Sequence, residues 1–224
     1  MESRDLLKRS AAEAAVKLIK TPLILGVGTG STVNYLIEML PQVKNRLKAV
    51  VASSKETARR LAECGFTPKT PNEIETVDLY IDGADEIDSE LHMIKGGGAA
   101  LTGEKIVSSM AKKFICIADA SKKVMTLGKF PLPLEVLPFA REVVLRALKK
   151  IGGDPEVRAN TITDYGNIII DVKQLKITDP KFLEAELNNL PGVVTCGLFA
   201  LRGADLLLLG TESGVQVYKS HEAE

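Results

Sequence analysis

The chain has 224 residues, 45% hydrophobic and 26% charged, with 29 Lys plus Arg against 29 Asp plus Glu. At about 150 residues per domain this is one large domain or two unequal ones, burying roughly 70% of the unfolded surface, which excludes disorder as the main state and any need for a covalent staple. The balanced charge offers no positive field to collect a polyanion, which excludes nucleic acid as a partner, and no apolar run reaches the ~18 residues of a membrane span. The first ten residues mix charge signs instead of leading into a signal-peptide core, so the chain is expected in the cytoplasm.

Leu6, Leu7, Ala11, Ala14, Ala15, Leu18 and Ile19 recur at helical spacing after Ser3, an expected N-cap, and before the break at Thr21-Pro22. An apolar run at 23–27 then ends in glycines, and a helical stretch at 32–40 stops at Pro41. The same order repeats as a strand at 48–52, a helix at 55–64 with Gly65 as C-terminal cap, and a strand at 78–81. A helix at 102–112 with Thr102 as N-cap leads into a strand at 114–118. Such alternation builds a parallel sheet covered on both faces.

Pro131, Pro133 and Pro138 mark a shift in composition that reads as a domain edge near Lys129. Beyond it come a strand at 134–137, a helix at 139–151, a hairpin of 156–161 and 167–172, a helix at 180–190 and a strand at 193–199. This β-α-β-β-α-β order is the split, ferredoxin-like arrangement, with Asp179-Pro180 opening its second helix and Pro191-Gly192 closing it. The last apolar runs, 205–209 and 215–218, are surplus to that small domain and return to the first sheet. The expected division is residues 1–130 with 205–224, and 131–204.

Cys64, Cys116 and Cys196 are odd in number, far apart and without a CxxC spacing, so they read as small buried hydrophobes in a reducing compartment. The two histidines, His92 and His221, lack the local context of a catalytic triad. Acid-base chemistry here falls to carboxylates or lysines.

Four segments carry candidate chemistry. In Gly26-Val27-Gly28-Thr29-Gly30-Ser31-Thr32, a glycine turn meets a helix N-terminus, where backbone N–H groups suit a phosphate. The dinucleotide fingerprint fails, because Ser31 stands where the third glycine belongs and the next strand does not end in an acid. A tight capped turn also explains the glycines, whereas Thr29, Gly30, Ser31 and Thr32 suit a small phosphate monoester. Asp82-Gly83-Ala84-Asp85-Glu86, with Asp88, follows a strand directly, at the carboxyl end where open parallel sheets bind ligands. A solvated acidic loop is the plain alternative, and Mg²⁺ binding by the paired aspartates ranks third, since no motif supplies a cage. In Lys95-Gly96-Gly97-Gly98, three glycines in a row fit best where backbone passes close to something. Glu104 follows in the first turn of a helix, where it either acts as a base or complements the helix dipole. Asp119-Ala120-Ser121-Lys122 places a lysine at another strand end, unremarkable by itself. Together the four strand ends describe a site for an anionic polyol.

The segments GVGTGST, VDLYIDGADEID, MIKGGGAALTGEKI, KFICIADASK, GKFPLPLEV and PGVVTCGLFA, with RGAD after it, run in order through nearly the whole chain. At these residues the sequence closely resembles the type A ribose-5-phosphate isomerases. The resemblance implies an α/β fold, a Rossmann-like parallel-sheet domain with a smaller α+β domain inserted before the C-terminal strands. It implies an aldose-ketose isomerase of the non-oxidative pentose phosphate pathway, interconverting ribose 5-phosphate and ribulose 5-phosphate. Glu104 would move the proton. Thr29, Gly30, Ser31, Thr32, Asp82, Gly83, Ala84, Asp85, Lys95, Gly96, Gly97 and Gly98 would surround the sugar phosphate, and Lys122 would bind it, with Lys8 matching a lysine near the phosphate in some members. The family needs no metal or organic cofactor and forms homo-oligomers, dimers or tetramers. Gly103 departs from relatives that carry a larger polar or charged residue, which loosens the start of the helix by up to ~1 kcal/mol. Leu201 replaces an asparagine often found before Arg202, outside the four site segments.

The reaction moves one proton between neighbouring carbons through an enediolate, so a single base both removes and returns it. Lys95 suits the developing oxyanion, a role worth about 3 kcal/mol when preorganised. Asp82 and Asp85 suit proton exchange with sugar hydroxyls or ring opening, a division the sequence leaves open. A non-catalytic sugar-phosphate sensor is the rival, but it needs only the phosphate turn, not Glu104, Asp82, Asp85 and Lys95 together. A deaminase or lactonase of similar architecture would use a histidine, for which His92 lacks the context.

Overall fold

A computed structural model describes residues 3–220. His221 lies outside them, as does the side chain of Ser3, the expected N-cap. The chain forms two compact units, one of residues 1–84, 103–122 and 204–224, the other of 85–102 and 123–203. Compared with the division expected near Lys129, residues 85–102 and 123–130 group with the second unit.

In the first unit α1 (Ser3–Val16) precedes β1 (Leu23–Val27), α2 (Ser31–Met39), β2 (Leu47–Ala52), α3 (Lys55–Glu63) and β3 (Leu79–Asp82). Two short strands of the second unit follow, β4 (Glu86–Ile87) and β5 (Met93–Ile94), then α4 (Leu101–Ser109) and β6 (Phe114–Asp119). The second unit continues with β7 (Leu132–Val136), α5 (Arg141–Lys150), β8 (Asp154–Val157), β9 (Ile168–Lys173), α6 (Pro180–Asn188), β10 (Val193–Cys196) and β11 (Leu198–Phe199). The chain returns to the first unit as β12 (Leu206–Thr211) and β13 (Gly214–Lys219).

The first unit is built on a sheet of order β13-β12-β6-β3-β1-β2, parallel except for β13. Strands β3 and β6 are buried along their whole length, as the near-continuous apolar runs of a sheet covered on both faces require. Period-two alternation divides their side chains. Leu79, Ile81, Ile115, Ile117, Leu206 and Leu208 join one core with Ala11, Ala15 and Ile19 of the N-terminal segment and Leu36 and Ile37 of α2. On the other face α4 lies over β1. A Cβ at Gly26 would stand 2.8 Å from Val107 and 2.9 Å from Tyr80, so glycine is what admits the helix. Glu104 sits three residues before Val107, on the same side of α4.

The second unit holds an antiparallel sheet of order β10-β7-β9-β8 with α5 and α6, the ferredoxin-like arrangement. Asp179 caps α6 as expected, its carboxylate accepting from the Phe182 amide at 3.0 Å. Two expectations change. The strand expected at 193–199 breaks at Gly197, and β11 pairs instead with β5 in a separate three-stranded sheet, β11-β5-β4. A Cβ at Gly197 would lie 2.3 Å from the Lys95 carbonyl, so the chain can cross here only without a side chain. Thr102 is not an N-cap but lies inside α4, and its hydroxyl donates to the buried carboxylate of Glu135. Glu135 also accepts from Thr163 Oγ1 at 2.7 Å and Asn167 Nδ2 at 2.8 Å, so this buried acid is satisfied by neutral donors. Among the described residues no helix is long and apolar enough to cross a membrane.

Candidate active site

In the first unit Asp82, the last residue of β3, is fully buried. Its Oδ1 accepts from the amides of Thr29 at 3.0 Å and Gly83 at 2.7 Å, and its Oδ2 accepts from the Tyr80 hydroxyl. Hydrogen bonds to an ionised group contribute about 1.5–3 kcal/mol each, so three of them fix this carboxylate in place. Gly28 is needed for the same reason, since a Cβ there would fall 1.9 Å from Asp82 Oδ1. Burial, together with the charges of Asp82 and Glu104, pushes the Tyr80 phenol well above its ordinary value, which keeps it protonated and donating. Tyr80, Asp82 and the buried Glu104 thus form one electrostatic group.

Thr29 is tied into the protein through both its amide and its hydroxyl. Its amide is held by Asp82, and its hydroxyl lies 2.8 Å from Ser53 Oγ, 2.9 Å from Ser54 Oγ and 3.1 Å from Thr57 Oγ1. Thr57 in turn donates to the Gly28 carbonyl at 2.7 Å, and Ser54 caps α3. Gly30, Ser31 and Thr32 follow at the start of α2. Gly30, at φ +123°, is the N-cap of α2, and no side chain caps that helix. Lys122 ends a 3-10 turn after β6, half-buried, in a turn held by Asp119 Oδ1 accepting from Ser121 N at 3.1 Å and Oγ at 2.6 Å. Lys8 Nζ stands 3.7 Å from Asp5 Oδ1. Ala84 is the residue after which the chain leaves the first unit.

In the second unit Asp85 and the glycine loop are joined directly. Asp85 Oδ2 accepts from the Gly97 amide at 2.7 Å, and a Cβ on Gly97 would stand 2.6 Å from Asp85 Oδ1. Lys95 is buried, its ammonium 5.5 Å above the Phe199 ring, and its amide donates to the Gly197 carbonyl at 2.9 Å. Gly96 has φ +103°, and its carbonyl accepts from Ala99 N at 3.0 Å to close the turn that exposes Gly97 and Gly98.

The acids of the DGADEID segment divide by role. Glu86 is buried and holds the amides of Gly128 and Phe130 at 2.8 and 2.6 Å. Asp88 accepts from the amides of Glu90 and His92 at 2.9 Å each, and His92 Nδ1 lies 3.2 Å from its other oxygen. Both shape turns, and His92 belongs to one of them.

Sequence reasoning missed Tyr80, Ser53, Ser54, Thr57 and Arg158. Tyr80 was recoverable, because two residues before Asp82 on a strand means the same face. Arg158 Nη1 donates to the carbonyls of Gly96 at 3.1 Å and Gly97 at 3.0 Å from about sixty residues away, and no local pattern signals that.

The family model described as ribose 5-phosphate isomerase A (phosphoriboisomerase A) matches residues 49–214. The chain is 52% identical over 220 residues to the ribose-5-phosphate isomerase A of Bordetella bronchiseptica, covering 96% of this chain and 97% of that protein. The crystal structure of ribose 5-phosphate isomerase A from Neisseria gonorrhoeae superposes with a TM-score of 0.96 at 46% identity, covering 99% of this chain and all of that one. A D-ribose-5-phosphate isomerase in complex with phospho-erythronic acid superposes with a TM-score of 0.93 at 36% identity, covering 97% of this chain and 100% of that one. Identity of this extent over nearly the full length leaves one assignment: the chain belongs to the ribose 5-phosphate isomerase A family.

Proposed function

We infer that this chain interconverts ribose 5-phosphate and ribulose 5-phosphate through an enediolate, with Glu104 as the base. The observation that carries the residue assignment is the buried Glu104 beside the Tyr80–Asp82 pair in a chain of this family. In the open-chain aldose Glu104 takes the proton from C2, and the electron pair left behind forms the C1–C2 double bond while the C1 oxygen becomes the oxyanion. The proton of the C2 hydroxyl passes to the C1 oxyanion, and returning the carbon-bound proton to C1 then leaves the carbonyl at C2 and a hydroxyl at C1, which is the ketose.

Asp82, held by three donors, is a fixed charge rather than a mobile shuttle. Asp85 uses only Oδ2 in holding Gly97, and Oδ1 is assigned to proton exchange with the sugar hydroxyls. Lys95 stabilises the oxyanion beside the Gly96, Gly97 and Gly98 backbone. Gly30, Ser31, Thr32 and Lys122 take the phosphate, with Lys8 at its edge. Phospho-erythronic acid, held by a relative, supports this reading: it is a phosphorylated sugar acid whose planar, anionic carboxylate resembles an enediolate. The reading includes no metal and no organic cofactor, a cytoplasmic location, and a homo-oligomer.

The test is conversion of ribose 5-phosphate by the purified chain in D₂O. Ribulose 5-phosphate carrying deuterium at C1 is the expected product. No conversion overturns the activity, and conversion by hydride transfer, with no solvent deuterium even after prolonged equilibration, overturns the enediolate.

A further inference from the structure

We propose that Arg158, pinned by Asp171, is a positioning residue for this reaction, fixing the shape of the loop that carries Lys95. All three guanidinium nitrogens donate. Nε donates to Asp171 Oδ2 at 2.7 Å and Nη2 to Asp171 Oδ1 at 2.5 Å, a two-point pair that orients the plane. That orientation turns Nη1 onto the carbonyls of Gly96 and Gly97, at 3.1 and 3.0 Å. The Gly97 residue is therefore held through both its polar atoms, its amide by Asp85 and its carbonyl by Arg158.

Three glycines in sequence lose more backbone freedom on ordering than any other residues, and Gly97 and Gly98 are exposed. Left alone, such a loop would sample many shapes, and Asp85 would lose its fixed partner at the Gly97 amide. The clamp comes from a regular element. Arg158 follows β8, its amide donates to the Ile169 carbonyl at 2.8 Å, and Asp171 lies on β9. Lysine cannot replace it, because an ammonium lacks the planar fork that reaches a carboxylate and two carbonyls at once.

The proposal rests on the isomerase reading, so its test pairs turnover with a readout that needs no substrate. Arg158→Ala should speed hydrogen exchange at the Gly97 amide at least ~10-fold, and lower kcat by about 10- to 100-fold with KM changed by less than ~3-fold. Guanidinium ion added to this variant should restore part of kcat, and Arg158→Lys should stay near the Ala value. Lys173→Ala, which breaks the exposed Lys173–Glu156 pair of the same hairpin, should match the wild type. Unchanged Gly97 exchange in Arg158→Ala overturns the clamp whatever the activity. Faster exchange with wild-type kcat overturns the positioning role. An equal loss in Lys173→Ala, or no rescue by guanidinium, reduces Arg158 to a stabiliser of the hairpin and also overturns it. Failure of the isomerase reading would show in the wild type alone, while Gly97 exchange still decides the clamp.

Discussion

Tyr80 and Asp82 stand two residues apart on one strand and share a hydrogen bond from which solvent is wholly excluded. The tyrosine ring is seated independently of that bond, its centroid 4.7 Å from that of Phe114. Tyr80→Phe should therefore keep the fold and remove one of the three donors that hold the carboxylate. The expected cost is about 1–3 kcal/mol of stability and roughly 10-fold in kcat, read by urea unfolding and steady-state kinetics. Unchanged kcat would show that Asp82 does not depend on its phenol.

Glu104→Gln keeps the size and hydrogen-bonding capacity of the side chain but cannot accept the C2 proton. Turnover should fall at least ~10²-fold while ribose 5-phosphate still binds, measured by kinetics and by calorimetric titration. A variant of near-normal turnover would remove Glu104 from the proton path.

Lys122→Ala takes a charge-assisted hydrogen bond of about 1.5–3 kcal/mol from the phosphate, so affinity for ribose 5-phosphate should drop roughly 10- to 150-fold. Affinity for phosphate-free ribose should hardly change. Titrating both sugars against both proteins decides it, and equal weakening toward the two would place Lys122 on the polyol or in the fold.

Prolonged EDTA treatment followed by gel filtration should leave turnover unchanged. The carboxylate of Asp82 already accepts from two amides and a phenol, which suits hydrogen bonding better than coordination. Activity that is lost and then restored by Mg²⁺ would reverse that assignment.

Asp78 predicts how part of the first unit responds to acid. Its carboxylate accepts from the Ile24 amide at 2.9 Å and pairs with Lys112 at 2.8 Å; these contacts, in that order, hold it below the ordinary 3.8. A depressed folded value means the contribution is present above the unfolded value and lost as pH falls through the folded one. The melting-temperature gap between wild type and Asp78→Asn should be widest near neutrality and close as the pH drops below about 3.8. A gap that stays constant with pH would show that the charge of Asp78 is not what matters.

The alternation of strands and helices was legible because buried parallel strands are nearly continuous apolar runs, as 114–118 and 205–209 are. The two loops with site chemistry were legible for another reason. Gly28 and Gly97 are both imposed by a carboxylate that occupies the space of their missing side chains, and such glycines stand out in sequence. What stayed hidden depends on contacts between distant residues. β4 and β5 are two residues each, too short for any periodicity, and exist because of pairing, β5 standing between β4 and β11. The break at Gly197 reads as an ordinary glycine in a strand until the Lys95 carbonyl is seen against it. The Pro131 to Pro138 cluster reads in sequence as a domain edge, yet Pro133 lies inside β7, and its carbonyl accepts from the Gly197 amide at 2.7 Å.

The N-terminal helix is seated on one of the last strands: a Cβ at Gly210 in β12 would stand 2.0 Å from the carbonyl of Leu7 in α1. During synthesis, then, the first helix leaves the ribosome with its seat still unmade. The stretch 123–203 that makes up most of the second unit emerges whole and can collapse as it appears, whereas the larger sheet must wait for its final two strands before it can close. A nascent chain halted before Ala204 would carry a finished small unit and an open, apolar-faced large one, and that is the species a chaperone would meet.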